Sequence, residues 1–443
     1  MFSNKDLRKL IIPLVIEQLL AVTIGMADTV MVSSCGEAAV SGISLVDSIN
    51  FLLITLFSSL ATGGAVIASQ YIGRGDHKSA SLAAKQLFYA SLALSAVLGV
   101  IAVFFRKPVL NMVFGSIEAD VMAHAQIYFL LSAISYPFLA VYNAGAALFR
   151  SMGDSRTTML ISILMNTINI VGNAILIYGF QMAAAGAAAA SLVSRAVGAI
   201  IITVLLLNPR RIIFYDKLHK PEIHLSMLKS ILQIGVPNGL ENSIFQIGKI
   251  LVASIVSGFG TISITANAVA GNLASLQVIP GMALGMAMIT VVGQCIGAKD
   301  YEAVKKYTKK LMLITYGVVW AMTLLMLLFS KQILSFYSLS EETTTMTMEV
   351  FIVHGICAVI VWPLAFALPN ALRAANDVRF TMIVSLLSMC IFRIGFSYIL
   401  AIYFNMGILG TWIAMCIDWF CRGACFVIRF ARGKWKNISF IDN

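Results

Sequence analysis

Charge is the scarcest thing in this chain of 443 residues: Asp, Glu, Lys and Arg make up 12% of it and hydrophobic residues 59%. An ordinary soluble domain carries about twice that charged share. So few polar groups cannot cover a surface facing water, and most of the chain must face lipid. Long polar stretches are also missing, which leaves no room for a sizeable soluble domain. The seven cysteines, Cys35, Cys295, Cys357, Cys390, Cys416, Cys421 and Cys425, contain no Cys-x-x-Cys pair and no zinc spacing. They read as small core hydrophobes rather than as a disulfide framework or a metal site. No HExxH, GxSxG or GxxxxGK occurs, which argues against an intramembrane hydrolase or an ATP-driven machine, and no cofactor is expected. The formal net charge of +11 forms no basic groove with aromatic partners, so nucleic acid is not an expected partner.

Apolar runs are there instead, at about 10–34, 47–72, 84–105, 124–149, 157–178, 183–207, 230–258, 264–296, 311–329, 348–372, 380–404 and 408–430. Each is long enough for a helix across a bilayer, which takes about 20 residues. The first run follows Lys5, Arg8 and Lys9 as a signal peptide would, but it carries Glu17 and Asp28 and is too long for one. The expected fold is therefore an all-α integral membrane protein with twelve transmembrane helices. Of the 31 Lys and Arg residues, 24 fall in one alternating set of connections and 3 (Arg106, Lys107 and Lys331) in the other. The positive-inside rule then predicts a multi-pass protein of the cell membrane with both termini cytoplasmic. The long basic connection at 208–229 separates an N-terminal lobe, 1–207, from a C-terminal lobe, 230–443.

Sliding the chain against itself by 224 positions pairs Pro13 with Pro237, Glu17 with Glu241, Gly36 with Gly260, Gln70 with Gln294 and Asp76 with Asp300. Arg150, Asp154 and Arg156 recur as Arg373, Asp377 and Arg379 at an offset of 223, and Gly186 recurs as Gly410 at 224. Six helices per unit make both units enter from the same side, a parallel repeat of two six-helix lobes. This is an architecture of secondary transporters, with the substrate path expected between the lobes.

A charge inside a span costs on the order of 3 kcal/mol at the bilayer centre, so each one needs a partner or a function. Eight Asp, Glu, Lys and Arg residues lie inside the apolar runs, away from their ends: Glu17, Asp28, Arg195, Glu241, Lys249, Arg393, Asp418 and Arg422. Asn166, Asn169 and Asn173 form one polar stripe on the fifth helix at i, i+3, i+7. Ser191 adds a hydroxyl on the sixth. With Asp28 they make an oxygen-rich set suited to Na⁺, or to a proton on the carboxyl. The repeat sets Val252, Phe392, Phe396 and Met415 against Asp28, Asn169, Asn173 and Ser191. A need of the fold would recur in both copies, so the polar set points to a coupling-ion site, with Na⁺ at Asp28, Asn169 and Asn173.

Glu241 sits in Pro237-Asn238-Gly239-Leu240-Glu241-Asn242. It is expected to act with Glu17, Asn242, Phe245 and Tyr136 in binding an organic cation, the alternative being a salt bridge to another helix. Asp418 and Arg422, spaced i, i+4, are expected to neutralise each other as a structural ion pair, which Arg393 could join. An anionic or lipid-linked substrate would instead require Arg195, Lys249, Arg393 and Arg422 to cluster.

Several segments resemble the multidrug and toxic compound extrusion family across essentially the whole length. They are Ile12-Pro13 through Glu17-Gln18, Met26 through Val32, Arg150 through Asp154, Val236 through Asn242, Gly293 through Ala298, and Trp412 through Trp419. The resemblance implies a two-lobe efflux pump exchanging cationic or amphipathic drugs for Na⁺ or H⁺; the chain is expected to act as a monomer. The resemblance also implies that the family's first-lobe cation site maps onto Asp28, Asn169, Asn173 and Ser191, and its acid on the seventh helix onto Glu241. Some members carry an acid where this chain has Asn173.

Overall fold

The computed structural model describes residues 2–115, 118–216, 218–220, 222–335, 337 and 339–438, with the backbone alone for Met26, Ala27 and Thr29. The basic Lys217 of the expected connection lies outside the described residues. Among those residues there is no strand. Twelve helices are long and apolar enough to cross a membrane: α1 (Asn4–Ser33), α2 (Glu37–Arg74), α3 (His77–Phe104), α4 (Ala119–Ser151), α5 (Ser155–Gly179), α6 (Ala183–Leu206), α7 (Leu225–Ser257), α8 (Thr261–Gly297), α9 (Tyr301–Leu328), α10 (Glu341–Ile360), α11 (Val378–Tyr403) and α12 (Gly407–Ala431). Large apolar side chains such as Phe104, Leu324, Ile360 and Phe420 are exposed on the spans, as a lipid-facing surface requires.

Most helices run past their apolar stretches. In α2 the helix begins at Glu37 rather than near 47, so Asp47 lies three turns inside a span. Short helices at Arg106–Phe114 and Ser330–Ser335 follow α3 and α9 and carry no spanning signal. Beyond α10 the chain turns through a π-helical segment at Pro363–Ala367 into Leu368–Ala374. Pro363 and Pro369 each lack an N–H, which favours such a break over a straight helix.

Local geometry explains much of the repeat. Gly36 and Gly260 precede α2 and α8 with φ of 94° and 88°, a conformation that a side chain disfavours. Asp76 and Asp300 cap α3 and α9, accepting from Ser79 N at 3.0 Å and Ala303 N at 2.9 Å and satisfying N–H groups that would otherwise lack a partner. A Cβ on Gly186 would lie 3.1 Å from Leu176 Cβ, and one on Gly410 would lie 2.7 Å from Ala401 N. Both glycines therefore permit close packing of the two helices that end each half.

The chain divides into two compact units, Phe2–Gly239 and Leu240–Asn443. The division falls inside α7 rather than in the connection at 208–229. That connection is tied to α3: Gln86 Nε2 donates to Glu222 O at 2.7 Å, Tyr89 Oη to Leu218 O at 2.8 Å, and His224 N to Gln86 Oε1 at 3.1 Å. The first half of α7 then packs on α2, where a Cβ on Gly63 would fall 2.5 Å from Ile231 O.

Candidate ion and substrate sites

In the first unit, α1, α5 and α6 bring Asp28, Asn169, Asn173 and Ser191 together. Asn173 Nδ2 donates to Asp28 Oδ1 at 2.7 Å. The Asn169 amide is satisfied with its nitrogen towards the carboxylate, donating at 2.8 and 3.0 Å, while its oxygen accepts from Ser191 Oγ at 3.0 Å. Asn173 Oδ1 is buried there without a hydrogen-bond partner. A carboxylate beside a free amide oxygen is a donor set for a hard cation. Asn166 stays apart from this set, its amide donating to Ser162 Oγ at 3.4 Å.

A second carboxylate adjoins this set and was not among the expected residues. Asp47 on α2 accepts from Tyr128 Oη at 2.9 Å and Asn50 Nδ2 at 3.2 Å. Tyr136 Oη donates to Asn50 Oδ1 at 2.7 Å, so Tyr136, 1% exposed, is a buried member of this network rather than an open aromatic wall. Arg195 donates to Ser135 Oγ at 2.6 Å, and both Asp47 and Arg195 act on Asp28 through space. Two acids and one base thus share the polar interior of the first unit. The signal was legible in the apolar residues on both sides of Asp47, including Ile43, Val46 and Phe51.

Glu17 and Glu241 occupy matching places in the two units, and each is held by the repeated arginine. Arg373 Nη2 donates to Glu241 Oε1 at 2.7 Å, and Ser385 Oγ donates to the same oxygen at 2.7 Å. Arg150 Nη1 lies 3.5 Å from Glu17 Oε1, and Thr158 Oγ1 donates to Glu17 Oε2 at 2.9 Å. The acids are 8% and 7% exposed. Of the two alternatives for Glu241, the structure contains the interhelical salt bridge. One Glu241 oxygen is thus bonded to a guanidinium while the other, Oε2, is buried without a hydrogen-bond partner, and the pairing of acid with arginine recurs in both copies.

Asp418 and Arg422 form the expected pair on α12, at 3.5 Å, both almost fully buried. The second partner of Asp418 is the Ser388 hydroxyl, and Arg393 makes no ion pair with it among the described contacts. Phe245, expected at a drug site, lies beneath two cations, Arg422 at 5.5 Å and Lys249 at 5.9 Å from its ring centroid. Three of the four basic residues named from the sequence thus collect in the second unit, while Arg195 stands in the first.

The sequence profile of the MatE family matches residues 13–175 and again 237–399. The two matches start 224 residues apart, the offset at which the chain pairs with itself. The chain belongs to the MatE family. It is a multi-pass membrane transporter of two six-helix lobes, and the repeat that built them is the family unit used twice. This MatE chain is 26% identical over 429 residues to the uncharacterized transporter YisQ of Bacillus subtilis, covering 96% of this chain and 93% of that one. It is 29% identical over 434 residues to the probable multidrug resistance protein NorM of Bacillus cereus, covering 95% and 93%. The fold matches a crystal structure of MATE in the straight conformation with a TM-score of 0.90 at 20% identity, over 98% of this chain and 97% of that one.

Proposed function

We propose that this MatE protein is a secondary active exporter of amphipathic organic compounds, driven by a cation entering at Asp28. The single observation that carries the reading is the lobe-specific oxygen set of Asp28, Asn169, Asn173 and Ser191. Its counterparts in the second lobe, Val252, Phe392, Phe396 and Met415, are apolar. The unpartnered Asn173 Oδ1 favours Na⁺, which needs several oxygen ligands, whereas a proton needs only the carboxylate. Antiport follows when ion and substrate bind different conformations unequally, since equal affinity shifts no population. The relatives' names, multidrug resistance proteins, support a broad substrate range. The basic bias of alternate connections supports cytoplasmic termini in the cell membrane.

The test is efflux of a panel of cationic, zwitterionic and anionic dyes from proteoliposomes under separately imposed Na⁺ and H⁺ gradients. A Na⁺ gradient should drive efflux in the wild type, and Asp28→Asn should abolish the coupling. Efflux driven by a pH gradient alone would make the ion a proton at the same acid. Wild-type coupled transport by Asp28→Asn would remove the site.

A further inference from the structure

The interior of the second lobe has the opposite charge balance from the first. Besides the neutral Glu241–Arg373 pair, its spans carry Lys249 on α7, Arg393 on α11, and the buried Asp418 with Arg422 on α12. That is three cations to one acid, and both oxygens of the acid are committed, to Ser388 and to Arg422. The donors around it are not satisfied. Arg393 Nε and Nη1, Arg422 Nε and Trp419 Nε1 are all buried without an acceptor. A guanidinium N–H removed from water with nothing to bond is among the costliest groups to leave unmet, and excess positive charge in a span compounds the cost.

The fold itself does not ask for this charge. At an offset of 224, Lys249 and Arg422 stand opposite Gly25 and Gly198 and Trp419 opposite Arg195; at 223, Arg393 stands opposite Ile170. The site is flanked by rings. The Arg422 guanidinium lies 4.5 Å from the Phe366 centroid, and Phe366 in turn stacks on Trp362 at 5.3 Å and meets Trp419 edge-on at 5.3 Å. Exposure falls from Lys249, which is exposed, through Phe245 and Arg393, half-buried, to Arg422, 3% exposed.

The geometry points to an anion site in the second lobe, at Lys249, Arg393 and Arg422, that takes the carboxylate or sulfonate of an aromatic organic acid. The substrate class it names is amphipathic acids and zwitterions, the acid meeting the cations and the flat ring lying against Phe245 and Phe366. The assignment rests on reading the protein as an exporter, but binding at the site requires no ion gradient.

It is tested on the purified full-length protein in detergent, by calorimetric titration with 2-naphthalenesulfonate, neutral 2-naphthol and cationic 2-naphthyltrimethylammonium. The acid should bind at least tenfold more tightly than the other two. Lys249→Gln and Arg393→Gln should each weaken it roughly 10- to 100-fold, as expected for a hydrogen bond or ion pair to a charged group, and Arg393→Lys should restore part of the loss. Asp28→Asn should bind the acid like the wild type while failing in coupled transport, which separates failure of this site from failure of the export reading. Equal binding of the three probes, or unchanged binding in folded Lys249→Gln, would overturn the assignment. So would equally strong binding of sulfate, which would reveal a site for an inorganic ion only.

Discussion

Replacing Glu241 by Gln separates a brace from a binding site. Glu241 Oε1 accepts from Arg373 and from Ser385, both at 2.7 Å and both buried. The amide keeps the shape and one acceptor for Ser385 but removes the charge. Arg373 keeps Asn370 Oδ1 at 2.9 Å and a neutral acceptor at position 241, but its buried positive charge is left without a counter-charge. Breaking a buried pair by removing one partner costs about 3–5 kcal/mol, and the retained serine bond brings the expectation to about 3 kcal/mol. For a lobe of this size that corresponds to a fall in Tm of roughly 5–10 °C. The measurement is melting in detergent micelles at a fixed scan rate, followed by tryptophan fluorescence. Arg373→Met on the Glu241→Gln background should recover most of the loss, because removing both members of a buried pair leaves no stranded charge. The matching Glu17→Gln should lose about half as much, since Arg150 stands at 3.5 Å. An unchanged Tm in Glu241→Gln, together with weaker binding of a cationic probe, would refute the brace and return Glu241 to the substrate site.

Two further expectations test local geometry. Gly63→Val places a branched side chain where even a Cβ would lie 2.5 Å from Ile231 O and 2.9 Å from Gly235 N; backbone cannot yield as a side-chain tip does, so the variant should lose about 1–3 kcal/mol, read as a lower Tm. At the α2–α3 turn, hydrogen bonds from Ser79 hold the Asp76 carboxyl below its ordinary value of 3.8. A depressed carboxylate stabilises the fold fully above that ordinary value and loses the contribution as pH falls through the lowered one. Asp76→Ala should therefore cost about 1 kcal/mol at neutral pH, with the gap from wild type closing in acid. Asp76→Asn, which keeps an acceptor for the cap, should cost little at any pH.

Much of the architecture is legible in the sequence. Span count follows from apolar run length against bilayer thickness, and the two-lobe repeat from a shared offset whose anchors are local devices: a positive-φ glycine at 36 and 260, a capping aspartate at 76 and 300. The grouping of Asp28 with Asn169, Asn173 and Ser191 was also readable, because helical spacing puts the amides on one face and the copies disagree at those places. Asp47 was missed because hydropathy marks where apolar residues end and not where the helix ends, and α2 begins ten residues earlier. The compact units divide inside α7 rather than at 208–229 for a related reason: the basic connection is tied to α3 by hydrogen bonds between residues more than a hundred positions apart.

The sequence by itself determined the solvent, the number of crossings, the duplication and the residues carrying charge where charge is costly. It could not say which of those charges meet. Glu241 and Arg373 are 132 residues apart, and Lys249, Arg393 and Arg422 lie on three different helices. Their partners are chosen by helix packing, through close approaches such as that at Gly63, and no local rule of spacing reaches that far. Only the tertiary structure therefore decided that the acid on α7 is neutralised while the second lobe is left with guanidinium groups lacking an acceptor.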